Sequence, residues 1–176
     1  MNTYSEKAKN AIEKYTKEIE DLFSKNKVIP QGPFLCSDGS TYIGEIDSEG
    51  FKDGLGEEID PDGSGYKGEF KKNVRYGKGR FVSANGLHYY GNYINGIATG
   101  KGVLSCEHFV YIGEFDDSLM HGQGELVYTD GTKFVGVMVK NVKNGPGSFN
   151  FYNGTTYVGD FEDDMMQGYG KNFIFF

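Results

Sequence analysis

Residues 111–115 read Tyr-Ile-Gly-Glu-Phe, residues 122–124 read Gly-Gln-Gly, and residues 130–131 read Asp-Gly. Successive side chains of a β-strand point to opposite faces, so the two rings of the first segment share a face with the glycine between them. The two glycines of the second segment share a face for the same reason. Asp-Gly tolerates the positive φ angles of a tight turn. This stretch therefore predicts a β-hairpin in which large rings lie beside glycine gaps.

The same pattern recurs along the chain from Gly32 onward. Successive units begin 24, 23, 22, 23 and 23 residues apart. One hairpin is not stable alone, whereas stacked hairpins share a continuous core. Because neighbouring strands lie ~4.8 Å apart, twelve of them would form a ribbon roughly 55–60 Å long. The aromatic residues that open the six units are Tyr42, Tyr66, Tyr89, Tyr111, Phe134 and Tyr157.

This repeat predicts a mainly β fold, an elongated single-layer antiparallel ribbon of stacked hairpins. Glycine weakens a strand, so its regular recurrence implies close packing at those points. We expect a ring of one hairpin to cover the bare backbone of the next. The β domain would span residues 30–176, with one amphipathic helix before it over residues 1–29.

Residues 3–27 contain no glycine or proline, and their apolar residues recur at spacings of three and four. That spacing predicts one apolar face of an α-helix. Thr3 and Glu6 form a capping-box pattern at its start, and Pro30 prevents its continuation. A helix of this length, about 37 Å, would cross three to four repeats. Its apolar face comprises Tyr4, Ala8, Ala11, Ile12, Tyr15, Ile19, Leu22 and Phe23.

The succession Tyr-x-Gly-Glu-Phe, Gly-x-Gly and Asp-Gly resembles the MORN repeat (membrane occupation and recognition nexus). The resemblance covers residues 32–176, and it implies an interaction scaffold in the cytoplasm, associated with the cytoskeleton or with membranes. Two units depart from the pattern. Glu58 occupies a position that is apolar in other units, and the turn at Cys106-Glu107-His108 lacks its glycine. An irregular hairpin is expected there.

Composition and motifs argue against several other classes of function. The chain has 25 acidic and 18 basic residues, so binding of nucleic acid over its whole surface is disfavoured. Residues 63–68 match the GxGxxG pattern, but they straddle a hairpin turn where a dinucleotide site needs a strand followed by a helix. The three histidines and two cysteines lack metal-ligand spacing. We therefore expect no enzyme activity, no cofactor and no metal.

The first functional hypothesis is a scaffold that captures a helical or extended partner segment along its aromatic face. A one-layer ribbon would leave this face partly exposed, and exposed aromatic surface marks interaction sites. The N-terminal helix is a candidate occupant, held within the chain, exchanged between two chains as a homodimer, or displaced by a partner. The aromatic face comprises Tyr42, Tyr66, Phe70, Tyr89, Tyr93, Tyr111, Phe115, Phe134, Tyr157 and Phe161.

A second hypothesis rests on charge. Residues 66–88 carry six bases and one acid, whereas residues 42–65 carry eight acids and one base. The basic unit would dock anionic lipid, such as phosphoinositide, or an acidic partner. Alternatively, its charges pair with the acidic unit next door. A third possibility is a regulatory fragment of a larger enzyme. The basic side chains are Lys67, Lys71, Lys72, Arg75, Lys78 and Arg80.

Overall fold

The computed structural model of the protein describes residues 6–26 and 30–174, with side chains described as far as Gly168. One helix, α1, precedes thirteen strands that form a single antiparallel sheet. The elements are α1 (Glu6–Lys25), β1 (Gln31–Leu35), β2 (Thr41–Ile46), β3 (Lys52–Ile59), β4 (Gly65–Lys71), β5 (Val74–Val82), β6 (His88–Ile94), β7 (Ile97–Ser105), β8 (Phe109–Asp116), β9 (Leu119–Tyr128), β10 (Lys133–Val139), β11 (Val142–Asn150), β12 (Thr155–Glu162) and β13 (Met165–Ile174).

Each strand pairs with its neighbours in sequence, so the sheet is an open ribbon without crossovers. Tight turns at both edges of the ribbon impose this order, because each leaves room only for an antiparallel return. The expected single-layer hairpin ribbon is confirmed. The turn without glycine does not disturb it: Cys106 N donates to Phe109 O at 3.0 Å. The pairing of β7 with β8 runs without a register shift, so the irregularity expected there is confined to the turn, which is one residue shorter than its equivalent from Tyr128 N to Thr132 O.

The glycine gaps are filled by rings of the same hairpin. Gly113 and Gly124 lie opposite each other, and a methyl group on either would overlap the Tyr111 ring. The Tyr111 hydroxyl donates a bifurcated hydrogen bond, shared between Glu114 O at 3.0 Å and His121 O at 3.3 Å. The expectation that a ring covers the next hairpin is therefore wrong. The register shifts opposite Gly113 and Glu114, where β9 carries two extra residues, Gly122 and Gln123.

Neighbouring hairpins are joined by a second ring in each of several units. Phe115 lies edge-on between Tyr111 of its own unit, at 5.3 Å between ring centroids, and Tyr89 of the preceding unit, at 4.9 Å. Tyr93 bridges Tyr66 and Tyr89 in the same way. Edge-to-face contacts of this kind stabilise by about 0.5–1.5 kcal/mol each beyond the buried area. The core is therefore a continuous row of rings along one face of the ribbon.

Turn residues on one edge of the ribbon also connect the hairpins. Lys52 N donates to Asn73 Oδ1 at 2.7 Å, and Met120 N donates to Asn141 Oδ1 at 2.8 Å. Both asparagines have positive φ, which their short polar side chains tolerate better than most. The side chain of one turn thus satisfies a backbone donor of the preceding hairpin, 21 residues earlier.

The helix α1 lies on the face of the sheet opposite the core rings. Ala8 and Ile19 are buried there against Tyr90, Val103 and Val110. The expectation that the helix would lie on the aromatic face is therefore wrong, because the rings of the sheet already fill that face.

The helix contacts β5 to β8 and reaches β9 and β4 through its ends, so it crosses three repeats as expected. Thr3, Tyr4 and Lys27 lie outside the described residues. Within the described part of the chain, no helix has the length and hydropathy that a bilayer span requires.

Candidate functional site

The rings of the aromatic face are core residues. None of them is more than 5 % exposed, because the first rings from Tyr42 to Phe134 lie over glycines and each second ring is wedged between two others. The expectation of a partly exposed row of rings is therefore wrong. The ring residues to which it applied are Tyr42, Tyr66, Phe70, Tyr89, Tyr93, Tyr111, Phe115, Phe134, Tyr157 and Phe161.

The accessible apolar surface on this side belongs to another row of side chains. Phe81, Leu104 and Phe149 are half-buried and pack against the core rings. Each stands two residues after the second glycine of a Gly-x-Gly segment. An apolar residue at this position is the sequence signal for the accessible row. It was missed because the aromatic-x-Gly pattern pointed to the first ring of each unit.

A groove of about 250 Å³ crosses the aromatic side at the second to fourth repeats. Half-buried Phe81, Leu87 and Leu104 line it together with the buried rings beneath. Arg75 and Ser118 supply its polar lining. The arrangement offers an apolar surface with one cation at its margin.

A charged cluster interrupts the apolar row at the first repeat. Glu58, only 8 % exposed, forms an ion pair with Lys52, and its Oε2 accepts from Arg75 Nη2 at 3.1 Å. Partial burial disfavours the charged ammonium of Lys52, but the Glu58 carboxylate outweighs it, and the pKa of Lys52 is raised. Arg75 also donates to Asp60 Oδ2 at 3.1 Å. The departure of Glu58 from the repeat is thus compensated by two cations.

The basic unit does not form one continuous patch. Lys67 lies 2.6 Å from Glu57, and Lys72 lies 2.7 Å from Asp47. The hydrogen bond from Lys72 lowers the pKa of Asp47. Pairing with the acidic neighbour, the alternative left open by the sequence, thus accounts for these two lysines and for Arg75.

The other members of the basic unit are dispersed. Lys78 pairs with Glu18 of α1 at 2.7 Å, and Lys71 lies over the ring of Tyr76. Arg80 lies over the ring of Tyr90, and its Nη2 is 3.3 Å from His88 Nδ1. Burial, and then the charge of Arg80, lower the pKa of His88. These side chains therefore make contacts within the protein, with α1 and with neighbouring residues of the sheet.

The part of the chain that the structure describes does not assemble the residue types of a metal site. Among the described residues, no group of three or more His, Cys, Asp or Glu side chains could hold a metal ion. Asp62 accepts from Ser64 N at 2.8 Å and so closes its own turn. Burial raises the pKa of Tyr111 to about 12, so this core hydroxyl stays protonated at neutral pH.

Comparison with solved structures finds TCP domains. The TCP domain of Drosophila melanogaster SAS-4 (dCPAP), in complex with a proline-rich motif of Ana2, is 12% identical with a TM-score of 0.41, covering 76% of this chain and 78% of that one. The TCP10 domain of Danio rerio CPAP with a STIL peptide is 14% identical with a TM-score of 0.36, covering 74% and 63%.

Among curated proteins, none matches the sequence significantly. The MORN repeat model matches six successive segments: residues 42–65, 66–88, 89–107, 111–133, 134–156 and 157–171. These segments begin at the aromatic residues that open the six units, and together they cover most of the chain. With its repeats arranged as successive hairpins of one sheet, the chain belongs to the MORN repeat family.

Proposed function

We propose that this protein is a non-enzymatic interaction scaffold whose aromatic-side groove binds a helical or extended segment of a partner protein. The observation that carries the proposal is the groove of about 250 Å³ lined by Phe81, Leu87 and Leu104. Contiguous accessible apolar surface of this kind marks interaction sites. In the described chain, α1 covers the opposite face and leaves this groove open.

The spacing of the apolar row suits a regular partner segment. Equivalent residues of successive repeats are two strands apart, which is about 9.6 Å. Three residues of an extended chain span about 10 Å, and seven residues of a helix span about 10.5 Å. A partner with an apolar side chain at either interval would place anchors on the accessible residues of the row, and at the fourth repeat it would pass over the buried Leu126. The accessible positions are Phe81, Leu104 and Phe149.

The charged cluster gives the groove a polar end. Arg75 lines the groove, and both of its hydrogen bonds to carboxylates use the single nitrogen Nη2. Its guanidinium carries further N–H donors, and it stacks over Tyr66 at 5.0 Å. A partner segment with a hydrogen-bond acceptor at one end of its apolar anchors would therefore bind in a single orientation, with the acceptor at Arg75.

A cytoskeletal or membrane-associated setting, which the family resemblance implies, belongs to the same proposal. Lipid docking through the basic unit has less support. Lys67, Lys72 and Arg75 already pair with acids of the neighbouring repeat, and Lys78 pairs with α1.

A charge placed in the groove tests the proposal. Leu104→Glu would put a carboxylate on the half-buried apolar row, and Val135→Glu would put the same charge on the opposite face, where Val135 is 39 % exposed. Peptides selected on the wild-type protein from a displayed random library are the probe. We expect Leu104→Glu to weaken their binding at least about tenfold, the effect of roughly 1.4 kcal/mol.

The Val135→Glu variant serves as the matched control and should bind the same peptides normally. Thermal unfolding of both variants verifies that the sheet is intact. Selected peptides that bind the Leu104→Glu protein as well as the wild type would contradict the proposed groove, as would a selection that enriches no peptide.

A further inference from the structure

Open clefts flank α1 where it lies on the sheet. Their volumes are about 410, 170 and 280 Å³. Ile12 lines the first of them, Ile19 lines the second, and Tyr15 lines the second and third. Between the clefts, Ala8 and Ile19 are buried against the sheet. The helix therefore lies on a platform of the sheet, with open clefts along its sides.

The platform is apolar, and its side chains are buried because the helix lies on them. Tyr90 is 4 % exposed, and Val103 and Val110 are fully buried, although all three belong to one face of a single-layer sheet. Both Val103 and Val110 pack in the cluster that includes Ala8 and Ile19 of the helix. Without a helix, this face would expose a continuous apolar surface across β6 to β8.

The platform also fixes the direction of its helix. Lys7, in the first turn of α1, pairs with Glu125 at one end of the platform. Glu18 pairs with Lys78, and the Phe23 ring lies 4.6 Å from Lys67 Nζ at the other end. An acid beneath the helix N-terminus and bases beneath its C-terminal half complement the helix dipole as well. The surface therefore selects an amphipathic helix by apolar pattern, charge and direction.

We propose that this platform accepts the α1 helix of a second copy of this chain in place of its own. All the platform contacts come from one continuous segment, Glu6–Lys25, which is connected to β1 by residues 26–30 alone. The same apolar and ionic contacts form when a partner copy supplies the helix. Two chains that exchange α1 therefore keep every platform contact, which is the condition for dimerisation by exchange of an identical element. This inference concerns the face opposite the groove and is independent of the proposed partner.

A chain of all 176 residues whose platform is empty provides the test. Ile12→Asp with Ile19→Asp places two charges on the apolar stripe of α1 and leaves the sheet unchanged. The probe is a fluorescein-labelled peptide of residues 3–27, with the same peptide carrying both substitutions as its control. Lys9→Asp with Lys17→Asp, on the exposed side of α1, is the matched control chain.

We expect the wild-type peptide to bind the Ile12→Asp/Ile19→Asp chain in fluorescence anisotropy. Its binding to the wild-type chain and to the control chain should be at least about a hundredfold weaker, because a tethered helix has a high effective concentration. Sedimentation velocity of the wild-type chain should show a dimer whose fraction rises with concentration, and the Ile12→Asp/Ile19→Asp chain should stay monomeric.

Absence of peptide binding to the folded Ile12→Asp/Ile19→Asp chain would overturn the proposal. Peptide binding combined with a wild-type chain that is monomeric at every concentration would overturn the second copy as occupant. If the variant does not fold, hydrogen exchange of the wild-type chain decides: α1 amides should exchange faster than those of Val103 and Val110. Equal rates, which mean that the helix opens only with the sheet, would also overturn it.

Discussion

At the scale of single residues, this fold depends on pairing one ring with two glycines. Tyr111 covers Gly113 and Gly124, and its hydroxyl reaches two backbone carbonyls across the same hairpin. The ring therefore provides both apolar contact and hydrogen bonds to two strands. Glycine is required because a Cβ at either position would occupy the space of the ring.

The substitution Gly124→Ala tests this packing. We expect it to lower the free energy of unfolding by about 1–3 kcal/mol, because the added methyl group forces the Tyr111 ring out of its position. Urea unfolding measures the change. Gln123→Ala, at the exposed neighbouring position, should change the stability little. A Gly124→Ala protein as stable as the wild type would show that the ring does not depend on the glycine gap.

Residue types alone predicted that rings and glycines share a face, because that follows from the alternation of a strand. They did not predict that the rings are buried. Burial depends on the position of the Tyr111 ring over Gly113 and Gly124 and on the edge-on position of Phe115 between Tyr111 and Tyr89, which involves two different hairpins. The groove residues Phe81 and Leu104 were missed for the same reason, since they become the accessible row once the rings are covered.

At the scale of elements, the hairpins are connected by turn side chains on one edge. Ala98 N donates to Ser118 Oγ at 3.1 Å, and Lys143 N donates to Asp164 Oδ1 at 3.0 Å. Gly96 occupies the equivalent turn position of its hairpin and donates its own N–H to Arg75 O at 2.8 Å. Glycine has no side chain that could accept a hydrogen bond from the preceding hairpin, so this turn makes one hydrogen bond fewer than the others.

Gly96→Asn should supply the missing hydrogen bond. Asparagine tolerates the φ of +80° at this position, and a Cβ there would lie 3.5 Å from Val74 Cγ1, an ordinary contact. We expect a gain of about 0.5–1.5 kcal/mol in the free energy of unfolding, measured by urea denaturation. Gly86→Asn, at φ +81° with no neighbouring atom, is the control and should bring no gain. Equal effects of both substitutions would argue against a connection between hairpins.

The Asp164 turn makes the same connection sensitive to pH. Burial would raise the pKa of Asp164, but hydrogen bonds from Lys143 Nζ and Lys143 N outweigh it and hold the pKa below its usual value. A carboxyl group with a lowered folded-state pKa stabilises the fold above the unfolded value, near 3.9, and loses that contribution as pH falls through the folded pKa. Asp164→Asn should therefore reduce the loss of thermal stability between about pH 5 and pH 2. An unchanged acid profile would contradict this role.

The elements themselves were predictable to a greater degree than their arrangement. The 23-residue period predicted the order of the hairpins, and the spacing of apolar residues predicted α1. The face on which α1 lies was not predictable from its own sequence. It depends on Tyr90, Val103 and Val110, which make one face apolar at the third repeat, and on rings that already fill the other.

At the scale of the whole molecule, a ribbon of repeats is nearly one-dimensional. Each hairpin contacts only its neighbours, so stability is close to a sum of repeat and interface contributions. The helix is the exception, because it contacts β5 to β8 together and its ends reach Glu125 and Lys67. It therefore connects three repeats that the sheet alone connects only in pairs, and these repeats should unfold as one unit.

The Ile12→Asp/Ile19→Asp chain tests this role of α1. Two charges on the apolar stripe should release the helix, after which the second to fourth repeats are held together by the sheet alone. We expect the urea transition to broaden and its m-value to fall, because a transition that is no longer two-state appears less cooperative. Amide hydrogen exchange should then show β5 to β8 opening in smaller units. Each Lys→Asp substitution removes a positive charge and adds a negative one, so the Lys9→Asp/Lys17→Asp chain carries twice the change of charge without loss of apolar contact, and it should keep the wild-type m-value. If both chains unfold as sharply as the wild type, the sheet is cooperative by itself, and α1 serves only to cover its platform.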